Sequence, residues 1–211
     1  VAALGKALFW RRIDTAGAEH ALYTDRAGLR AKGTLLAATP VPFTAKYEVY
    51  TDDAWTTARC EVTAEGAGFL RTVRLERAAG RWRVTASEQG NLDAVMLAAG
   101  QPRPAQPGAD EPGKLHPALD VDIAFSPLTN TLPIRRLNLA GGAVGTSRTV
   151  LVAWIQLPSL EVVESTQTYR VVGDHRLRFT GGADQAGTSS TEIDVDEQGY
   201  VLHYPGLADR A

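Results

Sequence analysis

The chain has 211 residues, 44% hydrophobic and 22% charged, which are the proportions of an ordinary globular protein long enough for one domain with a sizeable core. Its formal charge is −2 and its 22 lysines and arginines are scattered, so the basic patch that marks a nucleic-acid binder is missing. No apolar run approaches the ~20 residues a membrane-spanning helix needs, and the start VAALGKALFWRRID lacks the leading basic segment of a signal peptide, so it is read as part of the domain.

In chain order, the first clear element is 43–51, with Phe43, Ala45, Tyr47 and Val49 on one face and Thr44, Lys46 and Glu48 on the other. Strict alternation of this kind predicts a half-buried strand of an antiparallel sheet. Segment 55–63 puts Cys60 in phase with Ala58 and Val62, which predicts a small core residue and not a reactive thiol. A lone cysteine makes no internal disulfide and agrees with a cytoplasmic setting. Segment 69–77 alternates as well, although Arg71 interrupts its apolar face of Phe69, Val73 and Leu75. Segment 81–86 sets Trp82, Val84 and Ala86 against Arg81, Arg83 and Thr85.

A short helix is predicted near 91–98. Residues 99–118 then hold five of the eleven prolines. Proline at that density removes backbone donors and resists helix and sheet alike, so a flexible loop is expected inside a single domain spanning 1–211. The run 119–137, LDVDIAFSPLTNTLPIRRL, opens as a strand with Val121, Ile123 and Phe125 against Asp120, Asp122 and Ala124. Ser126-Pro127 and Thr129-Asn130-Thr131 predict a defined turn, and a second short helix is placed near 128–137. Segment 149–157 is apolar on both faces, as in a well-covered strand. Further strands are predicted at 175–180, 191–196 and 200–204, the last after the turn 196–199. Glycine-rich connectors at 66–68, 141–145 and 181–187 punctuate the pattern. The fold class is therefore mainly β.

The central run resembles the signature of the putative glycolipid-binding family, in which an Asp-Val-Asp strand precedes a Pro-x-Thr-Asn-Thr-Leu-Pro-Ile-Arg-Arg-Leu block. Residues 158–169 resemble its Pro-…-Gln-x-Tyr segment, and 194–207 its Val-Asp-x-x-Gly-x-Val-x-x-Tyr-Pro-Gly tail; Trp10-Arg11-Arg12-Ile13-Asp14 through Glu19 is similar to its opening. The sequence departs from the family where a short Gly-Cys segment usually leads into the Asp-Val-Asp strand. Here the proline-rich loop and His116-Pro117-Ala118-Leu119 stand instead, so no role for that cysteine carries over. The resemblance implies a strongly curved antiparallel sheet, a spiral β-roll or half-barrel similar to bacterial lipoprotein carriers. It also implies a glycolipid or other fatty-acyl amphiphile as the partner, held in the concave face.

The candidate ligand-binding residues are Asp120, Asp122, Asn130, Arg135, Arg136, Gln167 and Tyr169. Asp120 and Asp122 share a strand face with carboxylates roughly 7 Å apart, near the spacing of glycosidase pairs. Three readings of this pair stay open. It is structural, bonded to Arg135 and Arg136; or it holds a polar head group; or it serves a hydrolase acting on a glycoside or ester. Arg135 and Arg136 are adjacent, so at most one faces a pocket. Gln167 and Tyr169 share a strand face and could line the trough. The four histidines have no metal-ligand spacing, and neither a catalytic triad nor a phosphate-cradling loop is present. No cofactor is expected, and a binder without catalysis is the favoured reading.

Overall fold

The computed structural model describes residues 5–184 and 187–211; residues 1–4, and 185–186 within the connector at 181–187, lie outside the described residues. The first half is a run of hairpins: β1 (Lys6–Arg12), β2 (Gly17–Thr24), β3 (Arg30–Ala37), β4 (Phe43–Thr51), β5 (Thr57–Gly66), β6 (Phe69–Ala78) and β7 (Arg81–Gly90). After them come α1 (Leu92–Ala98), a 3-10 turn (Pro112–Leu115), β8 (Asp120–Ile123) and α2 (Pro127–Arg136). The chain finishes with β9 (Ser147–Ile155), β10 (Val162–Gly173), β11 (Arg176–Asp184), β12 (Gly187–Val195), β13 (Val201–Tyr204) and β14 (Ala208–Arg210). All fourteen strands join one curved, unclosed sheet in the order β7-β6-β5-β4-β3-β2-β1-β14-β13-β12-β11-β10-β9-β8. The pairing of β1 with β14 brings the two ends of the chain together in mid-sheet.

One pair breaks the antiparallel rule. β8 runs parallel to β9, with Asp120 opposite Val152 and Ile123 opposite Ile155. A parallel neighbour cannot be reached by a tight turn and needs a crossover. The long connection through α2 supplies it. The predicted strand at 119–125 is accordingly shorter, because Phe125 leaves the strand at φ 68°.

The sheet curls around two apolar clusters, and β9 separates them. Ala153 and Ile155 face a large cluster containing Trp10, Leu35, Phe43, Trp55 and Trp82, whereas Val150 and Val152 face a smaller one with Ile134, Tyr169, Phe179 and Ile193. That division is the reason 149–157 is apolar on both faces. β8 is split in the same way: Val121 and Ile123 join the large cluster, and Asp120 and Asp122 point toward α2 and β10. Cys60 is wholly buried in the large cluster, and burial pushes its thiol well up.

The concave face of β1–β7 is filled by the protein's own side chains and by the segment after β7. Within 99–118, where a flexible loop was expected, Leu115 and Ala118 are buried. Gly108 exchanges backbone hydrogen bonds with Leu160 and Val162, and the Trp82 indole donates to the Ala118 carbonyl at 3.0 Å. The arginine that interrupts β6 explains itself here. Arg71 is fully buried and donates to the carbonyls of Ala105 (2.7 Å) and Ser159 (3.0 Å) and to the Glu88 carboxylate (3.0 Å).

One glycine makes a long reach possible. Gly33 stands opposite Tyr47, whose ring lies over it; a Cβ there would overlap that ring. Tyr47 thereby passes across β3, and its hydroxyl donates to Glu19 on β2. Gly33→Ala is expected to cost about 1–3 kcal/mol by overpacking, read as a lower urea midpoint; an unchanged midpoint would show that the ring moves freely.

Candidate functional site

The strand β8, the sharp turn at Ala124-Phe125-Ser126 and the start of α2 lie over the inner face of β10–β12. Where they fail to meet fully, a cavity of about 540 Å³ remains. Its wall includes Asp122, Asn130 and Gln167, the aromatic rings of Phe125, Trp154, Phe179 and Tyr204, and the loop Pro205–Leu207. Gly181 keeps the space above Gln167 open, because it stands opposite that residue in the sheet and a Cβ on it would sit 2.9 Å from Gln167 Cγ.

Four of the sequence-predicted residues form one chain of hydrogen bonds at this wall. The Asn130 amide donates to the Tyr169 hydroxyl (3.1 Å), and the Tyr169 hydroxyl donates to Gln167 Oε1 (3.0 Å). Gln167 Nε2 donates in turn to Asp122 Oδ2 (2.6 Å). The other carboxylate oxygen of Asp122 accepts from Thr129 Oγ1 at 2.8 Å. Each member fixes the next, so the Asp122 carboxylate has a defined orientation. Burial pushes its carboxyl up to about 6 against the opposing hydrogen bonds from Thr129 and Gln167, and the nearby Asp120 carboxylate adds to the rise. Burial and then the charge of Asp122 also raise the phenols of Tyr169 and Tyr204, so both remain hydrogen-bond donors at neutral pH.

The expected pairing of both aspartates with both arginines forms only in part. Asp120 is fully buried and held by Arg136 through Nε (3.1 Å) and Nη2 (2.5 Å), a two-pronged ion pair that locks the last turn of α2 onto β8. Asp122 takes uncharged donors instead. Arg135 points elsewhere: its guanidinium stacks on Trp55 at 4.6 Å and donates to the Gln198 carbonyl at 3.0 Å. Helical geometry separates the two arginines, since successive residues project about 100° apart.

Sequence reasoning missed the aromatic wall and a second buried carboxylate. Glu19 on β2 accepts hydrogen bonds from Tyr47 and from Ser126 Oγ (2.6 Å); Ser126 stands at the N-cap position of α2 but spends its hydroxyl on Glu19 and makes no side-chain capping bond. Burial raises the Glu19 carboxyl to about 7. An inward-phased glutamate in 17–24 was the available signal, but that strand has too little alternation to stand out. At the lip, Arg12 pairs with Asp14 and stacks on Phe125 at 4.1 Å. The convex face carries another depression, of about 440 Å³, but much of its wall is tied up in the ion pairs Lys32–Glu48 and Arg74–Glu61. Among the described residues no cluster of three His, Cys, Asp or Glu side chains is arranged for a metal ion, and no helix is long and apolar enough to cross a membrane.

The sequence profile of the family described as putative glycolipid-binding matches residues 7–210. The chain belongs to that family. Among solved structures, a DUF1089 family protein from Pseudomonas aeruginosa is similar in fold, with a TM-score of 0.67 and 24% identity over 92% of each chain. No curated protein matches the chain. The segments 119–137, 158–169 and 194–207, on which the resemblance to the family rested, fall on β8, α2, β10 and the β12–β13 hairpin, and residues of those elements line the cavity. Asn130, Gln167 and Tyr169 of the hydrogen-bonded chain lie within those segments.

Proposed function

We propose that the protein binds a single amphiphilic molecule, of glycolipid or fatty-acyl type, in the cavity between α2 and β10–β12. The observation that carries this reading is the chain Asn130–Tyr169–Gln167–Asp122 ending at the wall of a mostly apolar cavity that four aromatic rings help to line. A mostly apolar pocket with a few oriented polar groups is the usual form of a small-molecule site, and about 540 Å³ falls in the common range. That volume suits a head group with the start of its alkyl chain. The binding surface is thus the concave face of the C-terminal half alone, because the N-terminal half is filled by its own core. Catalysis is not part of the proposal: Asp120 is committed to Arg136, and Asp14, the other carboxylate at the cavity wall, is paired with Arg12. A cytoplasmic setting rests on the buried single cysteine.

Native mass spectrometry with lipid extracts and single-chain amphiphiles tests this. The expected result is one bound amphiphile per chain, lost in Gly181→Val, whose side chain would press on Gln167 and on the Phe179 ring. A wild-type protein that gains no mass, or a folded Gly181→Val that binds as well, would overturn the reading.

A further inference from the structure

We propose that the head group selected by this cavity is cationic, a protonated amine or a quaternary ammonium. The proposal rests on the reading above that the cavity holds an amphiphile, and it adds the charge of that molecule. Two independent features of the wall point to it.

The first is a carboxylate without a counter-charge. Around Asp122 stand Asp120 on its own strand, Arg136 and Thr129 on α2, Gln167 and Tyr169 on β10, Tyr204 on β13, and the Arg12–Asp14 pair at the lip. Arg136 neutralises Asp120, and Arg12 neutralises Asp14. Three carboxylates against two guanidiniums leave one negative charge, and it falls on Asp122, which has no cationic partner among the described residues. Asp122 is half-buried at the cavity wall, so water screens its charge only in part, and a ligand that covers it gains by bringing a positive charge of its own. A phosphate, sulfate or carboxylate head would add like charge and, among the described residues, meet no unpaired cation at this wall. A neutral sugar could accept and donate hydrogen bonds here but would leave Asp122 unpaired.

The second feature is the set of rings. Phe125, Trp154, Phe179 and Tyr204 line the same space, and Phe179 and Tyr204 meet edge-on with centroids 5.9 Å apart. Aromatic faces attract desolvated cations, tryptophan most strongly, and walls of this kind recognise alkylammonium groups. The wall already does so once, since the Arg12 guanidinium sits 4.1 Å from the centroid of Phe125.

Trp154 gives a fluorescence signal for titrations with decylammonium, decyl glucoside and decyl phosphate, each below its aggregation concentration. At about pH 7.5 decylammonium should bind about tenfold more tightly than decyl glucoside, with decyl phosphate weakest. Near pH 5 Asp122 is protonated, so decylammonium should lose about tenfold while decyl glucoside stays within about twofold. Asp122→Asn should reproduce that loss near pH 7.5; if this variant does not fold, the wild-type pH series decides. Binding of all three with glucoside or phosphate at least as tight as ammonium would overturn the cationic preference and leave the amphiphile reading standing. Binding of none would overturn both.

Discussion

Arg71→Ala should destabilise the protein by about 3–5 kcal/mol, the range expected when one partner of a buried charge network is removed. The guanidinium is wholly enclosed and joins three parts of the chain: Glu88 on β7, the carbonyl of Ala105 in the proline-rich segment, and the carbonyl of Ser159 before β10. Asp93 of α1 stands a further 3.6 Å away. Truncation leaves the carbonyls of Ala105 and Ser159 and the Glu88 carboxylate without their donor, and it opens a void on the concave side of β6. Lysine would not substitute well, because a point charge cannot bridge acceptors that a planar fork reaches at once. Urea unfolding gives the loss in free energy, and limited proteolysis should show cleavage appearing first within 99–111. A loss below about 1 kcal/mol would mean that the segment is held by its backbone bonds to Leu160 and Val162 alone.

Glu19→Gln should change how stability depends on pH more than any other conservative substitution. The Glu19 carboxyl is raised from 4.5 to about 7 by burial, so the folded state holds a proton that the unfolded chain releases earlier. The stabilisation from that proton is fully present below about pH 4.5 and is lost as pH rises through about 7. At ~1.4 kcal/mol per pH unit the difference amounts to about 3 kcal/mol. In Glu19→Gln the fall between about pH 5 and 7.5 should therefore flatten, and the variant should be more stable than wild type near pH 8. A residual fall ending near pH 6 should remain, from Asp122, which is also raised. Parallel curves for the two proteins would show that Glu19 ionises as freely folded as unfolded. Because Glu19 accepts from Ser126 at the start of α2, the same titration reports how firmly that turn is held over the cavity.

Much of the strand content was legible because a half-buried strand writes its burial into the sequence with period two. The elements at 43–51, 69–77, 81–86 and 200–204 stand close to their predicted places. β2 and β3 escaped notice for a physical reason. Each puts a large apolar residue on the solvent face, Leu22 and Leu36, and β3 has glycine in its inward phase at Gly33, so the alternation is blurred. Part of the site was legible too. Gln167 and Tyr169, two apart on a strand, do meet Asp122 and Asn130. Their chemistry allowed several partners, though, and spacing alone did not distinguish uncharged donors from Arg135 as the partner of Asp122.

By itself, then, the sequence determined the β architecture, the burial of Cys60, the double-sided character of 149–157 and the family. Those properties follow from local alternation and from motifs that stand contiguous in the chain. Only the tertiary structure decided that β8 lies parallel to β9, that Arg136 alone takes Asp120, and that Arg71 anchors the proline-rich segment. Nor could local pattern supply the cavity wall. Phe125, Trp154, Phe179 and Tyr204 come from four separate elements, and they converge only because the sheet curls and the crossover through α2 carries the chain back over its inner face. Contacts of that kind depend on the sum of all strand registers, which no short stretch of sequence contains.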